Sequence, residues 1–497
     1  MKNKVNLFTK KAIKRKLKSF PELNALSISW IISIAAAALL FVLAGNSPVA
    51  ATVASAYLAS GVWSFILERA ARSSIAKTGG VPKWVRRGAI ILIPFAAAGN
   101  LFAAIAGFMT ARQDRTVEYN LISYAFLNNL FAIVISAINL FKPKVYEKFW
   151  LGISIFAATL VIYLIALALI LILQKKNMYK KLAPVAAVLM LTALTGNIFA
   201  LMLGMVIFAK IRNLGSSKTI EWIDTIRRVF RNYMSVIGLF VIILMITLSI
   251  CSYFTFNYQL AVKNDYSNLM KAPGLAYPFG TDHLGRCVFT RIVFGARISL
   301  LVGIISTAIP FVIGGLLGAV AGHYSTKFDN IIMRVLDVLN AVPSILLAMA
   351  VMAALGSSIT NMVLALSISN IPVYARTMRA QVMVVSQNEF VEATKAYGRK
   401  GYEALIFHII PNSLAPMIVR ASVSIGIAIL STSSLSYLGL GIGPHIPEWG
   451  NILKVGSSYL ETNPYLAIYP GVFIIILVLA FNFLGDGLRD ALDPKLK

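Results

Sequence analysis

The sequence predicts an all-α polytopic membrane protein with about twelve transmembrane helices. Hydrophobic residues make up 58% of the 497 residues and charged residues only 13%, with a mean hydropathy of +0.78. These values lie outside the range of soluble globular domains. The apolar residues form repeated runs of about twenty, the helix length that spans a hydrocarbon core of about 30 Å. Because lipid offers the backbone no hydrogen-bond partners, the runs are predicted to be helices.

The twelve runs form two sets of six. The first set lies near residues 25–45, 49–67, 88–110, 121–141, 149–173 and 183–209. Its first two runs are joined by Gly45-Asn46-Ser47-Pro48, a turn-forming stretch that predicts a tight helical hairpin. The second set lies near residues 234–256, 297–321, 334–355, 358–383, 412–438 and 466–485. Pro310, Pro343 and Pro372 fall inside this set, where each proline frees a carbonyl and permits a bend.

The net charge of +27 is concentrated in the first half of the chain. Residues 1–232 contain 29 Lys+Arg against 7 Asp+Glu, whereas residues 233–497 contain 17 against 12. The basic residues gather between apolar runs, above all in residues 1–20, 68–88, 142–148 and 210–231. This is the positive-inside pattern, which predicts that these segments are cytoplasmic. It also predicts adhesion to anionic membrane lipid and argues against nucleic-acid binding.

Charge and hydropathy together predict three parts. Residues 1–210 form an accessory membrane domain with basic cytoplasmic segments, residues 211–232 a cytoplasmic linker, and residues 233–497 a second membrane domain. With both termini in the cytoplasm, loops 322–333 and 384–411 are cytoplasmic, and segments 257–296 and 439–465 are external. One group of lysines would then lie outside, against the rule: Lys175, Lys176, Lys180 and Lys181.

Several kinds of chemistry have no support in the sequence. Cys251 and Cys287 cannot build a disulfide framework, and two thiols are favoured over a bridge between them. The four histidines are scattered without metal-ligand spacing. No G-x-x-x-x-G-K-[ST] stretch is present, so no P-loop is predicted. The sequence therefore predicts no catalytic residue, metal site or cofactor in this chain.

The most informative polar segment is the loop of residues 386–411, which is too long for a simple turn. Asn388 can cap a helix in which Glu389 and Glu392 lie early, where the helix dipole favours anions. Gly398 supplies a left-handed residue that ends this helix. A short helix on a stiff loop fits a groove on another protein; an ordinary capped surface helix is the alternative interpretation.

The second half of this loop is predicted to contain another short helix, from Gly401 to His408. Pro411 then resets the chain into the next apolar run.

The pattern Glu392-Ala393-x-x-x-x-Gly398, with Pro411 thirteen residues beyond the glycine, resembles the EAA loop of ABC importer permeases. The ending His408-Ile409-Ile410-Pro411-Asn412 resembles the dipeptide/oligopeptide/nickel branch of that family. Further stretches similar to its C-type subunit, together covering about residues 219–497, lie at 278–286, 295–300, 434–441, 447–451 and 482–494. Two positions depart from the family pattern: Thr394 replaces a second alanine, and Cys287 a common aspartate.

The resemblance implies a bacterial-type cytoplasmic-membrane permease subunit of an ATP-driven importer for di- or oligopeptides, with nickel or nickel chelates as the alternative cargo. It implies a second homologous permease subunit, two ATPase subunits that bind ATP and Mg²⁺, and an external substrate-binding protein. The ATPase-coupling residues would be Glu389, Glu392, Ala393, Thr394, Gly398 and Pro411. The candidates in the external loop for contact with the binding protein or partner permease, or for folding of the loop itself, are Asp282, His283, Arg286 and Arg291.

Two alternatives from other classes remain at this point. One is an ATP-independent secondary transporter, which would need an intramembrane acid. Asp337, three residues from Arg334, is the best candidate for that acid, although a local pair with Arg334 is the simpler interpretation. The other is a membrane scaffold without transport activity, against which the intact Glu392, Gly398 and Pro411 argue.

Overall fold

The computed structural model describes residues 20–44, 48–78, 80–111, 116–142, 145–175, 179–213, 221–324, 326–443 and 445–493. Some sequence predictions lie outside these ranges: the basic run in residues 1–19, the turn at 45–47, Lys176, linker residues 214–220 and Pro494. Within the described residues the regular structure is helical, apart from an isolated β-bridge between Thr281 and Cys287. The predicted all-α class is confirmed.

The α-helices are numbered in chain order. Those of the first half are α1 Pro21–Ala44, α2 Pro48–Thr78, α3 Lys83–Ala89, α4 Leu101–Ala111, α5 Val117–Ala137, α6 Phe149–Lys175, α7 Ala183–Thr192, α8 Ile198–Arg212 and α9 Glu221–Val229. Those of the second half are α10 Tyr233–Thr255, α11 Gln259–Val262, α12 Val288–His323, α13 Thr326–Ala341, α14 Ser344–Leu355, α15 Ile359–Val385, α16 Glu389–Ala396, α17 Gly401–Ala404, α18 Ile410–Tyr437, α19 Trp449–Ser457 and α20 Tyr465–Leu492. Short 3₁₀ segments at Ile90–Ala98 and Tyr179–Leu182 precede α4 and α7 respectively.

Among the described residues, eight helices are long and apolar enough to cross a membrane, or nine if α13 and α14 form one bent span. The bend between α13 and α14 is 82° and coincides with Pro343, one of the three prolines predicted to permit bending. Helix α15 matches the predicted run 358–383 but is less apolar, because polar residues such as Asn370 and Arg376 interrupt it. The protein is therefore polytopic, as the sequence predicts.

The run 88–110 differs from the single span that hydropathy predicts. Its helix is interrupted at Gly99, whose φ of +83° is the left-handed conformation that glycine adopts most easily. The chain then folds back, so that α4 packs against the residues before the turn. A Cβ at Gly107 would lie 2.8 Å from the carbonyl oxygen of Ala89. The run is thus a hairpin of two short helical segments.

The run 183–209 has the same construction 97 positions later. Gly196 has a φ of +85°, and a Cβ at Gly204 would lie 3.0 Å from the carbonyl oxygen of Ala186. The sequences Gly-Asn-Leu-Phe-Ala from Gly99 and Gly-Asn-Ile-Phe-Ala from Gly196 repeat each other at this spacing. The first half therefore contains two copies of one motif, each with two long helices followed by a helical hairpin.

Buried amides hold the turns of both hairpins in place. Nδ2 of Asn100 donates to the hydroxyls of Ser33 and Ser60 at 2.9 and 2.8 Å, which ties the first turn to α1 and α2. Nδ2 of Asn197 donates to the carbonyl of Ala125 on α5 at 2.9 Å. Irregular backbone at membrane depth is tolerated where protein groups satisfy it. In the first hairpin Oδ1 of Asn100 also accepts from the backbone N–H of Ala103 at 3.1 Å, which satisfies one free N–H at the start of α4.

By packing, the described residues fall into two compact units. The first contains the residues up to Ile138 together with Lys148–Thr247, and the second contains Asn139–Glu147 together with the residues from Leu248 onward. Residues 233–247 of α10 thus pack with the first unit. The domain boundaries predicted at residues 210 and 232 stay predictions.

The second unit is built on close contact between α12 and α15. A Cβ at Gly314, Gly318 or Gly322 would lie 2.6, 2.1 or 2.8 Å from a carbonyl oxygen of α15. These glycines follow each other at intervals of four residues, the spacing with which small residues let two membrane helices approach. The two cysteines, Cys251 and Cys287, are both buried and are not joined to each other by a disulfide.

Candidate functional site

The polar loop after α15 presents a short exposed helix, α16. Helix α16 spans Glu389–Ala396, as the cap and dipole pattern predicts. Glu389, Glu392 and Ala393 are exposed, while Thr394 is half-buried and donates its hydroxyl to the carbonyl of Phe390 at 2.7 Å. Gly398 follows with a φ of +76°, the left-handed conformation expected of a residue that ends a helix. The acidic, exposed side of α16 is therefore free to contact another protein.

Val391 anchors α16 to the membrane helices. Val391 is fully buried in a cluster that joins α12, α15 and α18. The other buried members of this cluster are Ala319, Tyr374, Met378, Val382, Val385, Leu405, Ile409 and Met417. A force applied to α16 would therefore act directly on three long helices, because close-packed interiors transmit displacement.

Pro411 behaves differently from the prediction. The predicted short helix from Gly401 to His408 does not end before Pro411; α17 continues through a π-helical turn at Leu405–Ile409 into α18. Proline lacks an N–H and its ring clashes with the preceding turn, and a wider π turn accommodates both effects. Pro411 is the second residue of α18, so Gly401–Tyr437 is one continuous helical stretch of 37 residues.

The loop also exposes an apolar patch next to the acidic side of α16. Its members are Phe390, Tyr397, Tyr402, Ile406 and Phe407, with exposed fractions from 40% to 88%. Large apolar groups exposed around a charged helix are typical of protein interaction sites. The coupling role of this loop stays a prediction, but its surface has the chemistry that a docking site needs.

Three of the four candidate residues, Asp282, His283 and Arg286, lie in the folded loop before α12, whereas Arg291, which was predicted in the same loop, lies in the first turn of α12. Oδ2 of Asp282 accepts from Nε of Arg286 at 2.8 Å, and Oδ1 accepts from the backbone N–H groups of Leu284 and Arg286 at 2.9 Å each. Nη1 of Arg291 donates to the carbonyl of Ala261 at 2.8 Å. Asp282, Arg286 and Arg291 are all buried, so their side chains organise the loop.

His283 is the member of this group with a partly exposed side chain. It stacks on Tyr459 with 5.9 Å between ring centroids. Burial lowers the pKa of His283, while Asp282 opposes this effect. A contact between this loop and a partner stays a prediction, with His283 as the residue best placed for it.

The stretch 447–451, which resembles the family but was not predicted to contain site residues, also contacts α12. Glu448 is fully buried at the start of α19, where its carboxylate accepts from the N–H of Asn451 at 3.0 Å. Burial raises the pKa of this carboxyl group. Nε1 of Trp449 donates to the carbonyl of Ile292 at 2.9 Å, and its ring packs on Gly295. The segment is therefore fixed to α12.

The predicted local pair of Asp337 with Arg334 is replaced by a long-range one. Nη2 of Arg376 on α15 donates to Oδ1 of Asp337 on α13 at 2.5 Å. A second ion pair, Asp329 with Arg379, joins the same two helices. Sequence spacing could not reveal these pairs, because their partners are 39 and 50 residues apart.

A bundle of apolar helices that presents an anchored, exposed helix on a polar loop has the architecture of a membrane transport permease. Two family descriptions match the chain: "Binding-protein-dependent transport system inner membrane component" over residues 314–497, and "N-terminal TM domain of oligopeptide transport permease C" over residues 221–273.

Curated relatives extend this match. The chain is 41% identical over 276 residues to the dipeptide transport system permease protein DppC of Alkalihalophilus pseudofirmus, covering 56% of this chain and 90% of that protein. It is 42% identical over 276 residues to the glutathione transport system permease protein GsiD of Pectobacterium atrosepticum, covering 56% of this chain and 92% of that protein. The chain belongs to the ABC importer permeases of the dipeptide/oligopeptide/nickel family and is a C-type subunit.

Among solved structures, the chain is similar to one of the MetNI methionine ABC transporter in an inward-facing conformation. The identity is 18% and the TM-score 0.35, with 41% of this chain and 97% of that chain covered.

Proposed function

We propose that this chain is the permease subunit of an importer for di- or oligopeptides. The observation that carries the proposal is the identity of 41–42% to permeases named for dipeptide and glutathione transport, across at least 90% of each relative. Both named cargoes are peptides, which favours peptides over nickel chelates. The chain itself is a transport subunit. Its anchored helix α16 is suited to transmit a motion of partner ATPase subunits to the membrane helices.

The proposed division of labour places ATP and Mg²⁺ in two separate ATPase subunits. Each permease subunit would receive one ATPase on its loop, here on the exposed side of α16 with Glu392 and Ala393 at the contact. Closure of the ATPases would push α16, and Val391 would pass the displacement to α12, α15 and α18 as a rigid-body motion. A second permease subunit would complete the pathway, and an external binding protein would deliver the peptide.

The substrate class is tested by reconstituting the full complex, with its binding protein, in liposomes. We expect ATP-dependent uptake of a labelled dipeptide and no uptake of Ni²⁺ without peptide. Omission of ATP serves as the control for passive leakage. ATP-dependent uptake of Ni²⁺ alone, with no dipeptide uptake, would contradict the peptide assignment.

We also propose a topology in which both termini and both hairpins of the first half face the cytoplasm. A hairpin enters and leaves a membrane on one side, so each copy of the repeated motif returns the chain to the side where it began. Segment 175–181 then becomes cytoplasmic, and its four lysines obey the positive-inside rule. Segment 142–148 moves to the outside, in contrast to the position that charge alone predicts.

Contacts within the second unit support the external position of segment 142–148. Nδ2 of Asn139 donates to the carbonyl of Thr255 at 2.9 Å, and Nζ of Lys142 donates to the hydroxyl of Thr290 at 2.7 Å. The Lys142 ammonium also lies over the ring of Phe256, and its burial lowers its pKa. These contacts put the segment beside the end of α10 and the start of α12, which flank residues 257–287, the segment that is external in the proposed topology.

Cysteine labelling distinguishes the two topologies. Glu147→Cys and Lys181→Cys both replace exposed residues, and the native cysteines are buried. With a membrane-impermeant maleimide on intact cells, we expect labelling of the Glu147→Cys variant, and labelling of the Lys181→Cys variant only after permeabilisation. The reverse pattern would show that the hairpins are complete spans.

This topology also gathers basic residues of the first half on one membrane face. Lys83 and Arg87 are exposed on α3 beside Trp84, which is 52% exposed. Tryptophan prefers the membrane interface, and each basic residue near an anionic leaflet contributes about 1 kcal/mol. We therefore propose anionic lipid as a partner of this face.

A further inference from the structure

The outer surface of α13 carries polar and charged groups at membrane depth. Asp337 lies eleven residues after the start of α13, about 16 Å along the helix at 1.5 Å per residue. Arg376 lies nine residues before the end of α15, about 14 Å from it. On the proposed topology both of these helix ends are cytoplasmic, so the Asp337–Arg376 pair lies in the cytoplasmic half of a core about 30 Å thick.

This ion pair is exposed on the surface of the chain. The side chain of Asp337 is 58% exposed and that of Arg376 is 47% exposed. Arg334 and Asn340 are also exposed on α13, and Ser344 is exposed at the start of α14. Charged groups inside a membrane face protein or a water-filled cavity, because contact with hydrocarbon is costly.

The backbone gives a second, independent indication. Helices α13 and α14 meet at an angle of 82° around Val342 and Pro343. Residues 340–346, which include this bend, are all exposed. Broken helices at membrane depth occur where the chain is buried in protein or lines an aqueous cavity. Because the bend is exposed in this chain, we expect either a water-filled cavity or a partner subunit to cover it.

The exposed surface of α20, in the same unit, has a different composition. On α20 the exposed large side chains include Ile468, Val472, Ile475, Ile476 and Leu479, all of which are apolar. A surface of this kind is compatible with hydrocarbon. On α13 the exposed apolar side chains Ile331, Val335 and Val338 alternate with the charged Arg334 and Asp337, so this surface faces protein or a water-filled cavity rather than hydrocarbon alone.

We infer that Asp337 and Arg376 line the translocation path and bind the charged termini of a passing peptide, Asp337 its α-ammonium group and Arg376 its α-carboxylate. This inference rests on the proposed peptide-importer function. A zwitterionic peptide carries one group of each sign, and a carboxylate beside a guanidinium offers the complementary pair. Guanidinium is suited to carboxylate because its planar donors form parallel hydrogen bonds. The other ion pair, Asp329–Arg379, is less exposed and joins the helices without offering the same surface.

The first test measures whether water reaches this surface in the assembled importer. Asn340→Cys and Ile475→Cys are introduced separately, and the complete complex is treated in liposomes with a charged methanethiosulfonate reagent. We expect the Asn340→Cys variant to react at least about tenfold faster, because a thiol reacts as the hydrated thiolate. Equal, slow reaction of both variants would overturn the inference.

The second test separates contact with cargo from a structural role. Asp337→Asn and Arg376→Gln are each expected to reduce dipeptide uptake at least about tenfold, the effect of losing one charged hydrogen bond. The exchange of both charges, Asp337→Arg with Arg376→Asp, keeps an ion pair but reverses its polarity. We expect the exchange variant to assemble like the parent complex but to remain deficient in dipeptide uptake. Restored uptake would reduce the pair to a link between helices and overturn the inference.

These experiments also separate this inference from the proposed function. A parent complex that imports no dipeptide refutes the peptide assignment, whatever the labelling shows. A parent complex that imports dipeptide while the Asn340→Cys variant stays unlabelled refutes only the inference about the path. If the charge variants fail to assemble, the labelling comparison still decides whether this surface is hydrated.

Discussion

Replacement of Glu392 by lysine is expected to uncouple ATP hydrolysis from transport while leaving the chain in the membrane. Glu392 is exposed on α16, so its replacement disturbs no packed core. A charge reversal at a docking surface places like charges against each other, or removes an attraction, at a cost of several kcal/mol. A loss of only 1.4 kcal/mol already weakens binding tenfold. We therefore expect peptide-stimulated ATPase activity to fall at least about tenfold.

The measurement is the ATPase rate of the purified complex with and without binding protein and peptide. Glu147→Lys makes the same charge change at another exposed position and serves as the matched control. The control should retain stimulation, and both variants should reach the membrane in parental amounts. Full stimulation in the Glu392→Lys complex would exclude the coupling role.

The features of the coupling loop that follow from local chemistry could be predicted from the sequence. The start of α16 near Glu389 follows from a capping residue and early acids, and the end near Gly398 from a left-handed glycine. The anchoring role of Val391 was missed, although an apolar residue within a polar loop was the available signal. The course of the chain through Pro411 was also mispredicted, because a π turn is not evident from residue types alone.

The two hairpins of the first half show why hydropathy misses a reversal. An apolar run of about twenty residues has the same composition whether it crosses the membrane once or folds back halfway. The chain reverses at Gly99 and Gly196, which both adopt a positive φ. A single glycine within an apolar run does not predict a turn, but the Gly-Asn pair repeated at both positions is a signal for one. The four lysines at 175–181 are the signal in the sequence that favours such a reversal, because six complete spans would put them outside.

Long-range partners lie beyond any local pattern. Asp337 has a basic residue three positions away, and helical spacing therefore favours Arg334 as its partner. The observed partner, Arg376, comes from α15, which the glycine contacts bring against α12 and which α13 also contacts through Asp329. The packing of these helices therefore decides which residues pair. The same packing creates the exposed surface around Asp337 and Arg376 that we propose lines the translocation path.

The packing of α12 on α15 leads to a large expected effect on stability, that of Gly318→Ala. A Cβ at this position would lie 2.1 Å from the carbonyl oxygen of Ala375 and 2.9 Å from its carbonyl carbon. These are backbone atoms of a long helix, so relief requires the helices to separate along their glycine stripe. Overpacking of a close contact costs about 1–3 kcal/mol, occasionally more, and this site belongs at the upper end. We expect a lower thermal unfolding midpoint in detergent and loss of peptide-stimulated ATPase activity.

Gly315→Ala provides a control three residues away on the same helix. Its Cβ would contact only the terminal methyl of Met417, at 3.3 Å. The flexible methionine side chain can move away from this contact. Alanine is favoured over glycine in a helix by about 1 kcal/mol, so this variant should be neutral or slightly stabilised. Because both variants add the same methyl group, the difference between their unfolding midpoints measures the effect of the close contact between α12 and α15. Equal midpoints for the two variants would show that α12 and α15 do not pack through Gly318, and the path from α16 to the long helices would then need another route.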